Sequence, residues 1–228
     1  MKMPFTTEQF MQVFKNYNTA VFPVQIILYA AGITAIYFAV KKHKWSDKFI
    51  AATLSLLWLW MGIVYHIIFF AAINKAAYLF GVLYILQGGL FIYFLFSKKH
   101  LSFKFHKNTC GVTGGILMVY AMIIYPVIGY FTGHVYPSSP TFGLPCPTTI
   151  YTFGLLLWMD NKCPLNILVI PFLWSILGFS AAVSLGVYED IGLLVAGLLT
   201  ISMILIRNRK AAILEHSSMV PDILTGLK

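Results

Sequence analysis

Few side chains in this sequence could do chemistry, and they lie far apart. His66, Cys146, Glu189 and Asp190 supply one imidazole, one thiol and two carboxylates in a chain of 228 residues with only seven acidic side chains. Thiol, imidazole and carboxylate are soft to borderline ligands for a transition metal, so His66, Cys146 and Glu189 form the candidate metal set. Their spacing is not that of a closed zinc site. Tyr65, Gln87, Tyr125, Thr148 and Thr149 add hydrogen-bonding groups, and with His66, Cys146, Glu189 and Asp190 they could line a site for a small solute. A third chemistry takes His66 as a base with Cys146 or an acid as its partner, which would make an enzyme. The sequence has no serine motif, no paired catalytic carboxylates within a motif and no HExxH, so the enzyme is the alternative and not the first reading. Each residue also has a plain structural use. His66 can bond a carbonyl or hydroxyl across a helix pair, Glu189 and Asp190 suit the positive end of a helix, and Cys146 can fill a small apolar space.

The element that must position these groups is a proline-rich stretch at 137–149, Pro-Ser-Ser-Pro-Thr-Phe-Gly-Leu-Pro-Cys-Pro-Thr-Thr. Proline is favoured at the first position of a helix, where its missing N–H costs nothing. A helix starting at Pro147, with Thr148 and Thr149 in its first turn, is predicted to run to Met159. That is only ~20 Å, short of a ~30 Å hydrocarbon core. Either 141–146 completes the span as irregular backbone or the helix starts below the surface. Irregular backbone at that depth is tolerated only inside protein or against a watery cavity. The buried helix start would also offer free N–H groups to an anionic part of a solute.

Composition sets the class. Hydrophobic residues make up 59% and charged residues 10%, with a mean hydropathy of +0.81, far from a soluble domain. Apolar runs at 21–40, 49–73, 76–96, 111–131, 147–159, 165–185 and 191–206 predict seven spanning helices in one all-α membrane bundle. Before them, Thr6 and Gln9 form a capping box and Phe5 with Phe10 a staple, which predicts an interfacial amphipathic helix within 1–20. Residues 207–228 read as a cytoplasmic tail, either a short helix or disordered. The three cysteines lack CxxC spacing and argue against a disulfide framework. The start, Met-Lys-Met-Pro-Phe, does not read as a cleaved signal.

Charge gives the orientation. Thirteen basic residues follow helices one, three, five and seven, against only Lys2, Lys15 and Lys75 on the other side. The basic side is therefore predicted to be cytoplasmic, with the N-terminus outside. The net charge of +9 is then a matter of topology and lipid, and no nucleic-acid partner is implied. In this orientation His66, Tyr125, Cys146, Glu189 and Asp190 all fall in the outer half. Intramembrane ionisable groups are costly and suggest function. The expectation is a protein that binds or transports a small solute or metal ion through an outward-facing polar pocket. A structural or assembly factor without a site is a further alternative, and a homo-oligomer is compatible with each.

Two architectural comparisons bear on this. Leu57-Trp58 with Gly62, and Leu173-Trp174 with Gly178, share an offset on helices two and six. That would suit parallel three-helix repeats around a linker helix, as in the small sugar transporters called SWEETs. A retinal-binding rhodopsin shares the seven-helix topology, but helix seven has no lysine for a Schiff base.

Three segments carry a family resemblance: Pro4-Phe5-Thr6-Thr7-Glu8-Gln9-Phe10, Tyr65-His66, and Pro140-Thr141-Phe142-Gly143-Leu144-Pro145-Cys146-Pro147-Thr148-Thr149-Ile150. The chain resembles an uncharacterised family of small bacterial multi-pass membrane proteins over most of its length. The Gly-Leu-Pro-Cys-Pro-Thr-Thr run is the most specific part. The resemblance implies a bacterial inner-membrane location and carries no activity with it.

Overall fold

The computed structural model describes residues 4–225, with side chains through Leu214; Lys2 and Lys228 of the charge argument lie outside the described residues. It is all-helical, with no strand among those residues. The order is α1 (Thr7–Val21), α2 (Val24–Val40), α3 (Ser46–Trp60), α4 (Ala77–Phe96), α5 (Thr109–Val119), α6 (Tyr125–Phe131), α7 (Pro145–Leu157), α8 (Asn166–Leu185) and α9 (Ile191–Thr225). A π-helical stretch, Met61–Phe69, continues α3, and another, Tyr120–Ile124, joins α5 to α6. Among the described residues five helical units are long and apolar enough to cross a membrane, and α1 with α2, bent by 86°, makes a sixth if counted as one span.

The predicted capping box is present: Gln9 N–H donates to Thr6 Oγ1 and Thr6 N–H to Gln9 Oε1. The Phe5 and Phe10 rings stack at 5.7 Å. α1 turns its apolar face into the bundle, burying Val13, Phe14, Tyr17, Asn18 and Val21. The last helix does not end near Ile206 but runs on to Thr225. Ala211 to Leu214 are good helix formers with no glycine or proline among them, so nothing stops it there.

α7 is the post around which the rest is built. It starts at Pro145, two residues earlier than the sequence predicts, and nearly every residue is buried. α5 approaches it at glycines: a Cβ on Gly114 would stand 2.6 Å from Gly154 O, and one on Gly154 2.7 Å from Gly114 O. Side chains would force these backbones apart.

Prolines inside the helices leave carbonyls four residues back without an N–H partner. At Pro126 and Pro171 a side chain from elsewhere fills the gap. Pro126 frees Met122 O, which accepts from Tyr29 Oη at 3.3 Å. Ahead of α7, Gly143 O accepts from Tyr17 Oη at 3.2 Å. Pro171, inside α8, frees Ile167 O, which accepts from Gln87 Nε2 at 3.0 Å.

The loops sort to two ends. At one, Lys42 Nζ donates to Asp47, Ser102 and Phe103 O, Lys104 N–H to Trp158 O, and Arg207 Nη1 to Leu157 O and Met159 O. At the other, Asn18 meets Pro137 and Ser139, and His134 meets Glu189. The basic loops after α2, α4 and α7 and the basic turn of α9 therefore share one end.

Candidate functional site

The segment leading into α7 is not a surface loop. Phe142 to Pro145 and Pro147 to Thr149 are buried, while Thr141 and Cys146 are half-buried. Asn18 holds this segment: its Nδ2 donates at 2.7 Å to Pro137 O and to Ser139 O, and its Oδ1 accepts from Gln25 Nε2 at 2.6 Å and Thr141 Oγ1 at 3.1 Å. Gly143 then turns the chain at φ +98°, a conformation open to glycine, and its N–H donates to Thr148 Oγ1 at 3.0 Å. Thr149 Oγ1 donates to Pro145 O at 2.7 Å. Both threonines thus serve the helix start itself.

Because α7 begins at Pro145, both Pro145 and Pro147 fall in its first turn and neither has an N–H. Cys146 alone carries one among the first three residues. The expected array of free N–H groups for an anion is reduced to a single donor. An acid already stands beside it, since the Asp190 carboxyl meets the Cys146 thiol.

A cavity of about 490 Å³ opens at this helix start. Its walls come from α1, the π stretch after α3, α4 and α8, and they are mainly apolar, with Phe10, Phe14, Tyr65, Phe70, Phe80 and Trp174 among them. Cys146, Tyr125 and Asp190 are polar groups at its helix-start wall; Asn74 and Trp174 Nε1, the latter without a hydrogen-bond partner among the described residues, are on the lining too. Tyr125 Oη donates a short hydrogen bond to Asp190 Oδ1. Ser180 and Ser184 also line the cavity, but their hydroxyls donate to Leu177 O and Ser180 O of their own helix. The Tyr65 hydroxyl lines it with no hydrogen-bond partner among the described residues.

The candidate residues divide accordingly. Tyr65, Tyr125, Cys146 and Asp190 come together on the cavity. His66 does not reach it. Fully buried, it lies among Tyr84, Tyr65, Trp174, Phe80 and Phe70 at ring distances of 4.7 to 6.1 Å, and neither ring nitrogen has a partner among the described residues. Glu189 faces the other way, its Oε1 2.7 Å from His134 Nδ1. Gln87 mends α8. Among the described residues no three of the His, Cys, Asp and Glu side chains gather as a metal site, so His66, Cys146 and Glu189 are not assembled into one.

Sequence reasoning missed Asn18 and Tyr17, which fix the α7 entry. A signal was present: Asn18 is the one amide on the apolar face that Phe14, Tyr17 and Val21 define at helical spacing.

The sequence profile of a family of unknown function, DUF6064, matches residues 7–215. The chain belongs to the DUF6064 family. No curated protein and no solved structure matched it. The match runs from α1 into α9 as far as residue 215, so the Asn18 clamp, the α7 entry and nearly all of the cavity lining lie within the family region.

Proposed function

We propose that this DUF6064 protein is a multi-pass inner-membrane protein of bacteria that binds a small solute in the cavity at the head of α7. In this reading seven helical elements cross or enter the bilayer, α2, α3 with its π stretch, α4, α5 with α6, α7, α8 and α9. The N-terminus faces outward and Arg207 inward. The gathering of the basic loops at one end supports the orientation. α2 and α7 are shorter than a full span, which the buried position of α7 makes tolerable.

The observation that carries the binding reading is a proline-broken helix start, sealed in protein, that opens on a cavity of about 490 Å³ with a buried carboxyl–phenol pair. Ligand sites are mostly apolar clefts of ~300–1,000 Å³ with few placed polar groups. The apolar lining favours a solute with an apolar body over a bare metal ion or a sugar.

Protein in phosphatidylcholine nanodiscs, titrated with 4-phenylbutanol in a calorimeter against empty nanodiscs, tests this. Saturable binding that Ala181→Trp abolishes by filling the cavity is expected. Non-saturating partition, equal in both proteins, overturns the reading. Orientation is tested separately with a chain whose native cysteines are serine. A cysteine introduced at Ala181 should react with an impermeant maleimide in intact cells, and one introduced at Lys99 only after permeabilisation. The reverse pattern overturns the topology.

A further inference from the structure

Resting on the binding reading above, we infer that the solute carries a cationic amine, with Asp190 as its partner and an apolar, aromatic-compatible body behind it. Among the described residues the cavity is lined by no lysine, arginine or histidine, and Asp190 is its one acid. Glu189 is turned away to His134, Lys104 and Arg207 lie at the opposite end of the bundle, and Lys75, between the lining residues Asn74 and Ala76, puts its Nζ over the Tyr78 ring and does not line the cavity. A carboxyl has about four lone-pair sites; Tyr125 occupies one of them, and the Cys146 thiol lies beside another. Acceptor capacity therefore remains, and among the described residues no other side chain donates to this carboxyl, although the unpartnered Trp174 Nε1 and Tyr65 Oη line the same cavity.

The ring faces around that point suit the same charge. Tyr65, Phe80 and Trp174 line the cavity, and Trp174 approaches the Cys146 thiol beside Asp190. Aromatic faces attract an ammonium group, most strongly once it is desolvated. A carboxylate-bearing solute meets the opposite situation: an acid, a single helix N–H and no base. An alcohol can bond Asp190 but gains neither the charge-assisted hydrogen bond nor the ring attraction. The ammonium N–H donates to the ionised Asp190 carboxyl; with the proton on the carboxyl instead, its O–H would donate to the amine nitrogen.

Three probes with one skeleton separate this inference from the reading it rests on: 4-phenylbutylamine, 4-phenylbutanol and 4-phenylbutyrate, each titrated into nanodiscs of zwitterionic phosphatidylcholine with empty discs as reference. The amine is expected to bind about tenfold or more tighter than the alcohol, as a charge-assisted hydrogen bond implies, with the butyrate weakest. Asp190→Asn should remove the amine's advantage and leave the alcohol within about threefold. Equal binding of amine and alcohol by the unmodified protein overturns the amine inference and leaves the cavity reading standing. Absence of saturable binding for all three overturns the cavity reading itself. Because the unmodified protein alone ranks the three heads, the inference is decided even if Asp190→Asn does not fold. Where it does fold, an amine advantage surviving in Asp190→Asn assigns the charge to another group and equally overturns the inference.

Discussion

Asn18 Nδ2 stands 2.7 Å from Ser139 O, across 121 positions of sequence. With Pro137 O it makes a pair of acceptors on one amide, while Oδ1 takes Gln25 and Thr141. One fully buried side chain thus ties α1, the start of α2 and the entry to α7 together.

Replacing Asn18 by leucine leaves two carbonyls and two donors without their partner. A buried polar group left unpaired costs ~1–3 kcal/mol, so the loss should be several kcal/mol. At ~2–4 °C per kcal/mol, detergent-solubilised Asn18→Leu should melt about 10 °C or more below the parent. Asn18→Asp keeps the two accepted bonds and loses the two donated ones, so it should also be destabilised. A melting point unchanged in both would remove the clamp from the account.

Gln87 and Pro171 should be energetically coupled. Gln87→Leu strips Ile167 O of its donor and should cost ~1–3 kcal/mol. In a Pro171→Ala background residue 171 regains an N–H aimed at Ile167 O, and the same Gln87→Leu change should cost less. A double-mutant cycle by denaturant titration is expected to give a coupling of ~1–2 kcal/mol. Strict additivity would mean that Gln87 does not mend the break.

The contact between Gly114 and Gly154 allows little. Gly154→Ala drives a Cβ against Gly114 O at 2.7 Å and against Met118 Cγ at 2.6 Å. Backbone cannot swing aside, so a cost of ~1–3 kcal/mol is expected from overpacking. Gly115→Ala serves as the control, since its Cβ would meet only Trp158 Cζ2 at 3.6 Å. Equal melting points for the two variants would contradict the close approach.

Cys163 lies between α7 and α8, and burial pushes its thiol up to about 12, against the downward pull of the Arg207 charge. In the unfolded chain a thiol starts to lose its proton near pH 9. Between there and pH 12 the folded state holds more protons than the unfolded one, so stability falls as pH rises. The slope from this one group is at most ~1.4 kcal/mol per pH unit. Cys163→Ala should therefore be less stable than the parent at pH 7.5, with the gap closing above pH 9. A gap that stays constant from pH 7.5 to 10.5 would show that Cys163 titrates alike in both states.

What the sequence revealed and what it hid follow from the range of the interactions. The Thr6–Gln9 box and the Phe5–Phe10 staple depend on residues within one turn, and they are where the pattern puts them. Burial of the α7 entry was also legible, because a helix start with four prolines upstream and within it has few other tolerable surroundings. The partners of the freed carbonyls were hidden. Gln87 and Ile167 are 80 positions apart, and no local periodicity links an amide on α4 to a proline on α8. His66, Cys146 and Glu189 shared a depth in the sequence reading but not an azimuth. Depth can be counted along a helix, whereas the direction a side chain takes around it depends on packing, and here packing sends His66 among aromatic rings and Glu189 to His134.

α7 and α9 run side by side in the same direction, and the later one touches the earlier at both extremities. Asp190, just before α9, meets the first turn of α7 through Cys146, and Arg207 grips the last carbonyls at Leu157 and Met159. A negative group thus sits at the positive end and a cation at the negative end, as the macrodipole favours. Sliding one rod along the other by a single residue would pull both fasteners loose at once. Any rearrangement that opens or shuts the cavity must therefore leave this pair in register, and the freedom falls to α8 and α1, which close the chamber from the other sides.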